Sequence, residues 1–218
     1  MKKLILFSSL GILCLVGEVQ AQLQKGTRYW GATITSSGEA NNQKYDSPYK
    51  SDAKFTNIYP SLRTGWVFRE NTMFGVDLSP SISFARSKNN LVGTEIKSGY
   101  NGVAVNVTPY IRRYKSLSSK WLLYVHSGVT LSYVRSKDFQ GDESQFENGY
   151  GVGLGIVPGV AYRLTPRFWL ESDVSVFNLN LSYVNFNNNN HVNFQTGLRS
   201  EIQQYFTLRA AWYIQKSN

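Results

Sequence analysis

Phe206-Thr207-Leu208-Arg209-Ala210-Ala211-Trp212-Tyr213-Ile214 is the stretch whose reading decides the fold. Phe206, Leu208, Ala210, Trp212 and Ile214 share one parity, while Thr207, Arg209, Ala211 and Tyr213 share the other. A strand turns successive side chains to opposite faces, so this segment carries one oily face and one polar, partly charged face. The apolar parity runs back through Ile202, Leu198, Phe194 and Val192, which predicts one long strand over 192–214.

The same alternation recurs upstream. It predicts strands near 27–35, 54–68, 73–85, 100–113, 121–134 and 149–164, and another from Phe168. In the strand at 121–134, Trp121, Leu123, Val125, Val129 and Leu131 alternate with Tyr124, His126, Gly128, Thr130 and Ser132. In the strand from Phe168 the parity fails after Phe177, the mark of a bulge or of an exit from the membrane. Short links such as Arg69-Glu70-Asn71-Thr72 and Thr165-Pro166-Arg167 alternate with polar segments at 36–53, 86–98, 135–148 and 184–191, which read as long loops. Eight strands joined in this way predict an all-β fold, an eight-stranded antiparallel up-and-down transmembrane β-barrel with short turns on one side and long loops outside.

Lipid, and not a protein core, is expected against the oily face. The polar parity is dominated by Gly, Ser and Ala with isolated charges and Tyr, which suits a crowded barrel interior. A soluble barrel of the lipocalin kind carries its apolar side chains inside, and solvated outer faces usually carry many Lys and Glu. Trp66, Phe68, Phe74, Trp121, Phe168 and Trp212 lie on the apolar parity near the short turns, as an aromatic girdle at a membrane boundary would. Pro60, Pro80, Pro109 and Pro158 fall inside strands on that same parity, where a missing N–H breaks the ladder. Local bulges are expected at all four.

The N-terminus Met1-Lys2-Lys3, an apolar run from Leu4 to Gly17 and Val19-Gln20-Ala21 read as a cleaved secretory signal over 1–21. The barrel domain is then 22–218. Cys14 is the single cysteine and would leave with the signal, so no disulfide or thiol chemistry is expected afterwards. The net charge of +9 comes without a Lys/Arg run or a nucleic-acid-binding motif, so no nucleic-acid partner is expected. After the signal, no apolar run is long enough for a transmembrane helix. The mean hydropathy of −0.29 does not argue against a barrel, whose apolar residues occupy only alternate positions.

The segments Tyr59-Pro60-Ser61-Leu62 and Thr108-Pro109-Tyr110-Ile111, with the signal and the terminal strand, give the chain a resemblance to a known family. It resembles the small outer-membrane β-barrel proteins of Bacteroidetes-type bacteria, which share the OmpA/OmpX architecture and porin-family look. The resemblance spans about 25–216 and is one of pattern more than motif. It implies localisation in the cell outer membrane, contact with outer-membrane lipid and lipopolysaccharide, and a terminal strand read by the barrel-insertion machinery. Gln215-Lys216-Ser217-Asn218 follow the aromatic end, a departure from barrels that finish on an aromatic residue.

Arg63, Asp77, Arg112, Arg163, Glu171, Asp173 and Arg209 fall on the inward parity. A charge in a narrow, poorly solvated interior must be paired. Neighbouring strands allow Arg63 to meet Asp77, and Arg209 to meet Glu171 or Asp173. The expected result is a packed interior, with a structural role or binding and adhesion of an extracellular ligand through the outer loops. A small porin or narrow channel gated by this network is the alternative. A lipid-modifying enzyme is the third reading, but His126 and Ser127 are adjacent and face opposite sides, the position two residues on is Gly128, and His191 falls in a loop tip. Asp138, Asp142, Glu143 and Glu147 lack Ca²⁺-loop spacing. No catalytic residue, metal site or cofactor is expected.

Overall fold

The computed structural model describes residues 23–44, 50–91, 94–141, 143–174, 177–186, 189–198 and 206–215. The expected signal over 1–21 lies outside them. Ten strands form in order: β1 (Arg28–Lys44), β2 (Lys50–Arg69), β3 (Thr72–Leu91), β4 (Thr94–Ser116), β5 (Trp121–Gln140), β6 (Glu143–Arg163), β7 (Phe168–Val174), β8 (Phe177–Phe186), β9 (Asn189–Leu198) and β10 (Phe206–Ile214).

Each of β1 to β6 pairs antiparallel with the next, β6 pairs β7, β7 pairs β10, and β10 returns to β1. That closes a ring of eight strands. β8 continues the seventh strand against β6, and β9 lies against β8 as the outer part of the eighth. The expected single strand over 192–214 is therefore built as β9 and β10, with 199–205 outside the described residues. The chain is an all-β, antiparallel up-and-down barrel of the transmembrane type. Its oily parity faces out: Leu123, Val125, Val129 and Leu131 are exposed, while Leu122, Tyr124 and His126 between them are buried.

The polar segments at 36–53, 86–98, 135–148 and 184–191 are largely not loops. Ser36 to Lys44 pair with Ile58 to Lys50, Arg86 to Leu91 with Gly99 to Thr94, and Arg135 to Gln140 with Asn148 to Glu143. His191, expected at a loop tip, sits in β9 opposite Val184. The hairpins thus run on beyond the apolar belt. Both faces are wet there, so the ladder persists without an oily alternation to announce it.

The prolines behave in two ways. Pro60 and Pro80 occupy the same rung between β2 and β3, and pairing lapses only from Tyr59 to Ser61 before resuming in unchanged register. Each proline would have donated to the other's carbonyl, so one rung contains both defects. Pro109 likewise opens a gap with β5 without shifting register, and Thr108 Oγ1 bonds Thr130 Oγ1 at 2.9 Å beside it. The expected bulges are therefore absent at Pro60, Pro80 and Pro109. Only Pro158 marks an irregularity: β6 pairs Gly159 with Asp173, but Ile156 with Leu179. Between these two pairings the register against β6 shifts by three residues. An odd slip exchanges the two faces, which is why the sequence parity fails there.

Residues ahead of β1 fold across the short-turn end. Gly26 donates to the Val67 carbonyl and Val67 to that of Thr27, both at 2.8 Å. Gly26 has φ of 91°, a conformation glycine adopts freely. Leu23 is buried, and its N–H bonds Asn71 Oδ1 at 3.0 Å while its carbonyl accepts the Asn71 N–H at 3.1 Å.

Pro80→Val would return the N–H that the Pro60 carbonyl lacks. The unfolding free energy in micelles, measured by urea titration, is expected to rise by about 1 kcal/mol. A fall would show that this rung is satisfied in another way.

Candidate functional site: an ion-pair plug across the lumen

An eight-stranded barrel has room inside for side chains and little else. Here the space near the short turns is filled by alternating charges. Asp77 on β3 pairs with Arg63 on β2, and Arg63 Nη2 reaches Asp173 Oδ2 on β7 at 3.2 Å. Arg209 Nη2 on β10 also holds Asp173 Oδ2, at 2.9 Å, and its Nη1 lies 3.6 Å from Glu171 Oε2. Arg112 Nη1 on β4 closes the series on Glu171 Oε2 at 2.8 Å, with both side chains fully buried. Three arginines thus alternate with three carboxylates. The Arg63–Asp173 and Arg112–Glu171 pairs each cross the lumen, because three steps around the ring separate their strands.

Tyrosines complete the carboxylates. Tyr29 donates to Glu171 Oε2 at 2.8 Å, Tyr213 donates to Glu171 Oε1, and Tyr124 donates to Asp173 Oδ1 at 2.7 Å. Asp77 accepts from Ser61 at 3.0 Å and from Ser79. The Arg112 guanidinium lies over the Tyr124 ring at 4.3 Å and the Tyr29 ring at 5.2 Å, within cation–π range. Its Nε and Nη2 have no hydrogen-bond partner among the described residues, so ring faces take the place of acceptors.

Glycines make the sockets. Tyr124 stands opposite Gly159, and Tyr110 opposite Gly75. A Cβ on Gly159 would come within 2.1 Å of the Tyr124 ring, and one on Gly75 within 2.5 Å of Tyr110. The rings lie flat across glycines on the neighbouring strand. Above this layer the lumen opens: a Cβ on Gly155 would meet none of the described residues within 4 Å. A cavity of about 190 Å³ lies there beside Thr130, Ser132, Gly151, Gly153 and Ser182.

Of the seven charges read as inward, six join this network. Arg163 makes no ion pair among the described residues, and its guanidinium lies 5.8 Å from the Trp169 ring at the short-turn end. The strand parity is right there, but the lumen ends before an acid comes within reach. The tyrosines were legible only as polar-face residues; their signal was their recurrence opposite glycines once strands are aligned. His126 is buried against Tyr110, ring centres 4.4 Å apart, while Ser127 is exposed on the other side. No three of the described His, Asp or Glu residues converge as metal ligands, and Asp142 lies outside the described residues.

On the outer face, Trp66, Phe68, Trp121 and Trp212 are exposed near the short turns, and Phe74 and Phe168 are half-buried. Trp66 packs on Phe74 and Phe168 on Trp212, each pair 5.2 Å apart. Trp30, which pairs in register with Trp212, and Tyr162, against Trp121 at 4.6 Å, extend this band.

No family model matches the chain, and no curated protein matches it. Among solved structures it is similar to the crystal structure of Neisserial surface protein A, with 20% identity and a TM-score of 0.37. That match covers 87% of this chain and 99% of the other. It is also similar to Ail, the attachment invasion locus protein of Yersinia pestis, with 13% identity, a TM-score of 0.34, and coverage of 88% and 96%. The fold assignment rests on the strand pairing itself.

Glu171→Gln leaves Arg112 and Arg209 facing a neutral group, and a loss of about 3–5 kcal/mol in unfolding free energy is expected. Glu171→Met with Arg112→Met should recover most of it, since a matched apolar pair needs no counter-charge. Gly159→Ala should cost about 1–3 kcal/mol by displacing Tyr124. Gly155→Ala should stay within about 0.5 kcal/mol of the parent. Urea titrations of the four variants in one micelle system check both statements.

Proposed function

We propose that the chain is an integral outer-membrane barrel, closed to solutes by its internal ion pairs, that meets the surroundings through its hairpin extensions as a binding or adhesion surface. The observation that carries this reading is the cross-lumen chain Asp77–Arg63–Asp173–Arg209–Glu171–Arg112, whose innermost pair has no solvent exposure. Moving a solute through would require separating charges that have no water to replace their partners, at a cost of several kcal/mol per ion. The seal of residues 23–27 over the short-turn end works in the same direction.

The oily outer wall supports placement in lipid. Thirty or so ångströms of hydrocarbon demand an unbroken apolar belt, and the outward residues of β3 to β6 supply one, flanked at one end by the aromatic band. Kinship with the small barrels of Bacteroidetes-type bacteria and delivery by the barrel-insertion machinery belong to the same proposal.

Leu131→Arg, on the exposed outer wall, is expected to lower stability in lipid vesicles by about 2–4 kcal/mol. An unchanged unfolding curve, with the protein recovered from the aqueous fraction, would remove the membrane placement. In planar bilayers the parent protein should give no steady single-channel steps. Regular steps abolished by Arg209→Ala would favour a channel instead.

A further inference from the structure

Beyond the apolar belt the six hairpin strands β1 to β6 keep their register and continue the barrel wall as a cup. One inward row runs across all six: Glu39, Phe55, Ala85, Tyr100, Asp138 and Gln145, each opposite the next. The next inward row, farther from the belt, ends on Glu143, opposite Gln140. Together these rows line a cavity of about 930 Å³, within the range of small-molecule sites.

Although the whole chain is basic, the charges on these two inward rows are all negative: Glu39, Asp138 and Glu143. None of the three forms an ion pair among the described residues. Lys54 and Arg86, from the intervening row, also line this cavity. Arg86 is turned onto the Phe139 ring at 4.9 Å and donates to the carbonyls of Ala85 and Tyr100. Two aromatic faces, Phe55 and Tyr100, stand among the carboxylates. Tyr100 leans over Gly102 in the row beneath, where a Cβ would lie 2.4 Å from its hydroxyl.

That lower row holds the independent observation. Asn57 and Ser136 lie on the inward parity directly under the cup and are buried, 7% and 1% exposed; Asn57 Nδ2 donates to Ser37 Oγ at 3.4 Å, yet Asn57 Oδ1 and Ser136 Oγ have no hydrogen-bond partner among the described residues. Buried acceptors left unused call for a donor. The carboxylates are spread around the wall and do not converge as metal ligands. Dispersed negative charges, aromatic faces and spare acceptors are what an extended organic cation needs: ammonium groups only donate, and they bind both carboxylates and ring faces.

We propose that the cup binds a flexible organic cation carrying two or more ammonium groups, held by Glu39, Asp138 and Glu143 with Phe55 and Tyr100 against its methylene segments. This deepens the binding role above by naming a ligand class. The two readings fail separately, because binding is measured in micelles and closure by conductance.

The test is calorimetric titration of the refolded full chain in zwitterionic micelles with spermidine, with tetralysine and with a neutral trisaccharide. Saturable spermidine binding is expected, weakened roughly tenfold or more in Glu39→Gln with Asp138→Asn. Glu95→Gln, on the outer face, should change it by less than about twofold. Binding of tetralysine alone, with the same dependence on Glu39 and Asp138, would support the site and assign the ammonium groups to a peptide. The proposal is overturned by absence of saturable binding of either cation, by binding indifferent to the double variant, by equal binding of the trisaccharide, or by Ca²⁺ displacing the cation stoichiometrically. Heat-dependent gel migration of each variant confirms that the barrel has formed.

Discussion

Hydrocarbon offers a backbone no hydrogen-bond partner, and that constraint governs this molecule. Inside the apolar belt the backbone N–H and C=O groups must be met by the neighbouring strand, with gaps only where Pro60, Pro80 and Pro109 remove a donor, so the sheet has to close on itself. Eight strands close with an interior too small for a water column but too large to leave empty. The side chains that fill it come from the inward parity, where lipid contact is not required. The arginine–carboxylate series is therefore a consequence of closure. Charges become tolerable inside because each carboxylate meets two arginines or an arginine with hydroxyl donors.

Packing and electrostatics interlock at the same layer. Glycine on one strand lets a tyrosine ring from the next lie flat, and the ring then presents its face to Arg112 and its hydroxyl to a carboxylate. Removing bulk from the wall thus brings an aromatic donor to the middle of the lumen. Where no tyrosine stands opposite, as where Gly155 faces Gly128, none of the described residues fills the space a Cβ would take. The density of the interior follows from which glycines have a partner.

Much of the fold was legible because lipid and lumen impose opposite demands on alternate residues. The eight-strand count, the outward face and the exposure of Trp66, Trp121 and Trp212 on it all come from that alternation. It fails in predictable places. Past the belt both faces of a hairpin meet water, so Ser36 to Lys44 carried no sign of being a strand. At Pro60 and Pro80 a single strand shows only a defect, whereas the ladder puts the two defects in one rung. Strand adjacency suggested Arg63 with Asp77 and Arg209 with Glu171 or Asp173. The pairs that cross the lumen depend on stagger and side-chain reach, which no local pattern encodes, and Arg163 shows how parity alone can overstate membership.

The slip beside Pro158 bears on how such a chain can change length. The register shift between Asp173 and Leu179 exchanges the faces: before it the odd positions Trp169, Glu171 and Asp173 look inward, and after it Leu179 and Leu181 look outward. Deleting one residue from this short stretch would turn two leucines into the lumen and bring Ser182 to the lipid, while deleting two would restore the original facing. Insertions and deletions in the wall should accordingly survive descent in even steps, whereas the wet hairpin tips carry no such arithmetic.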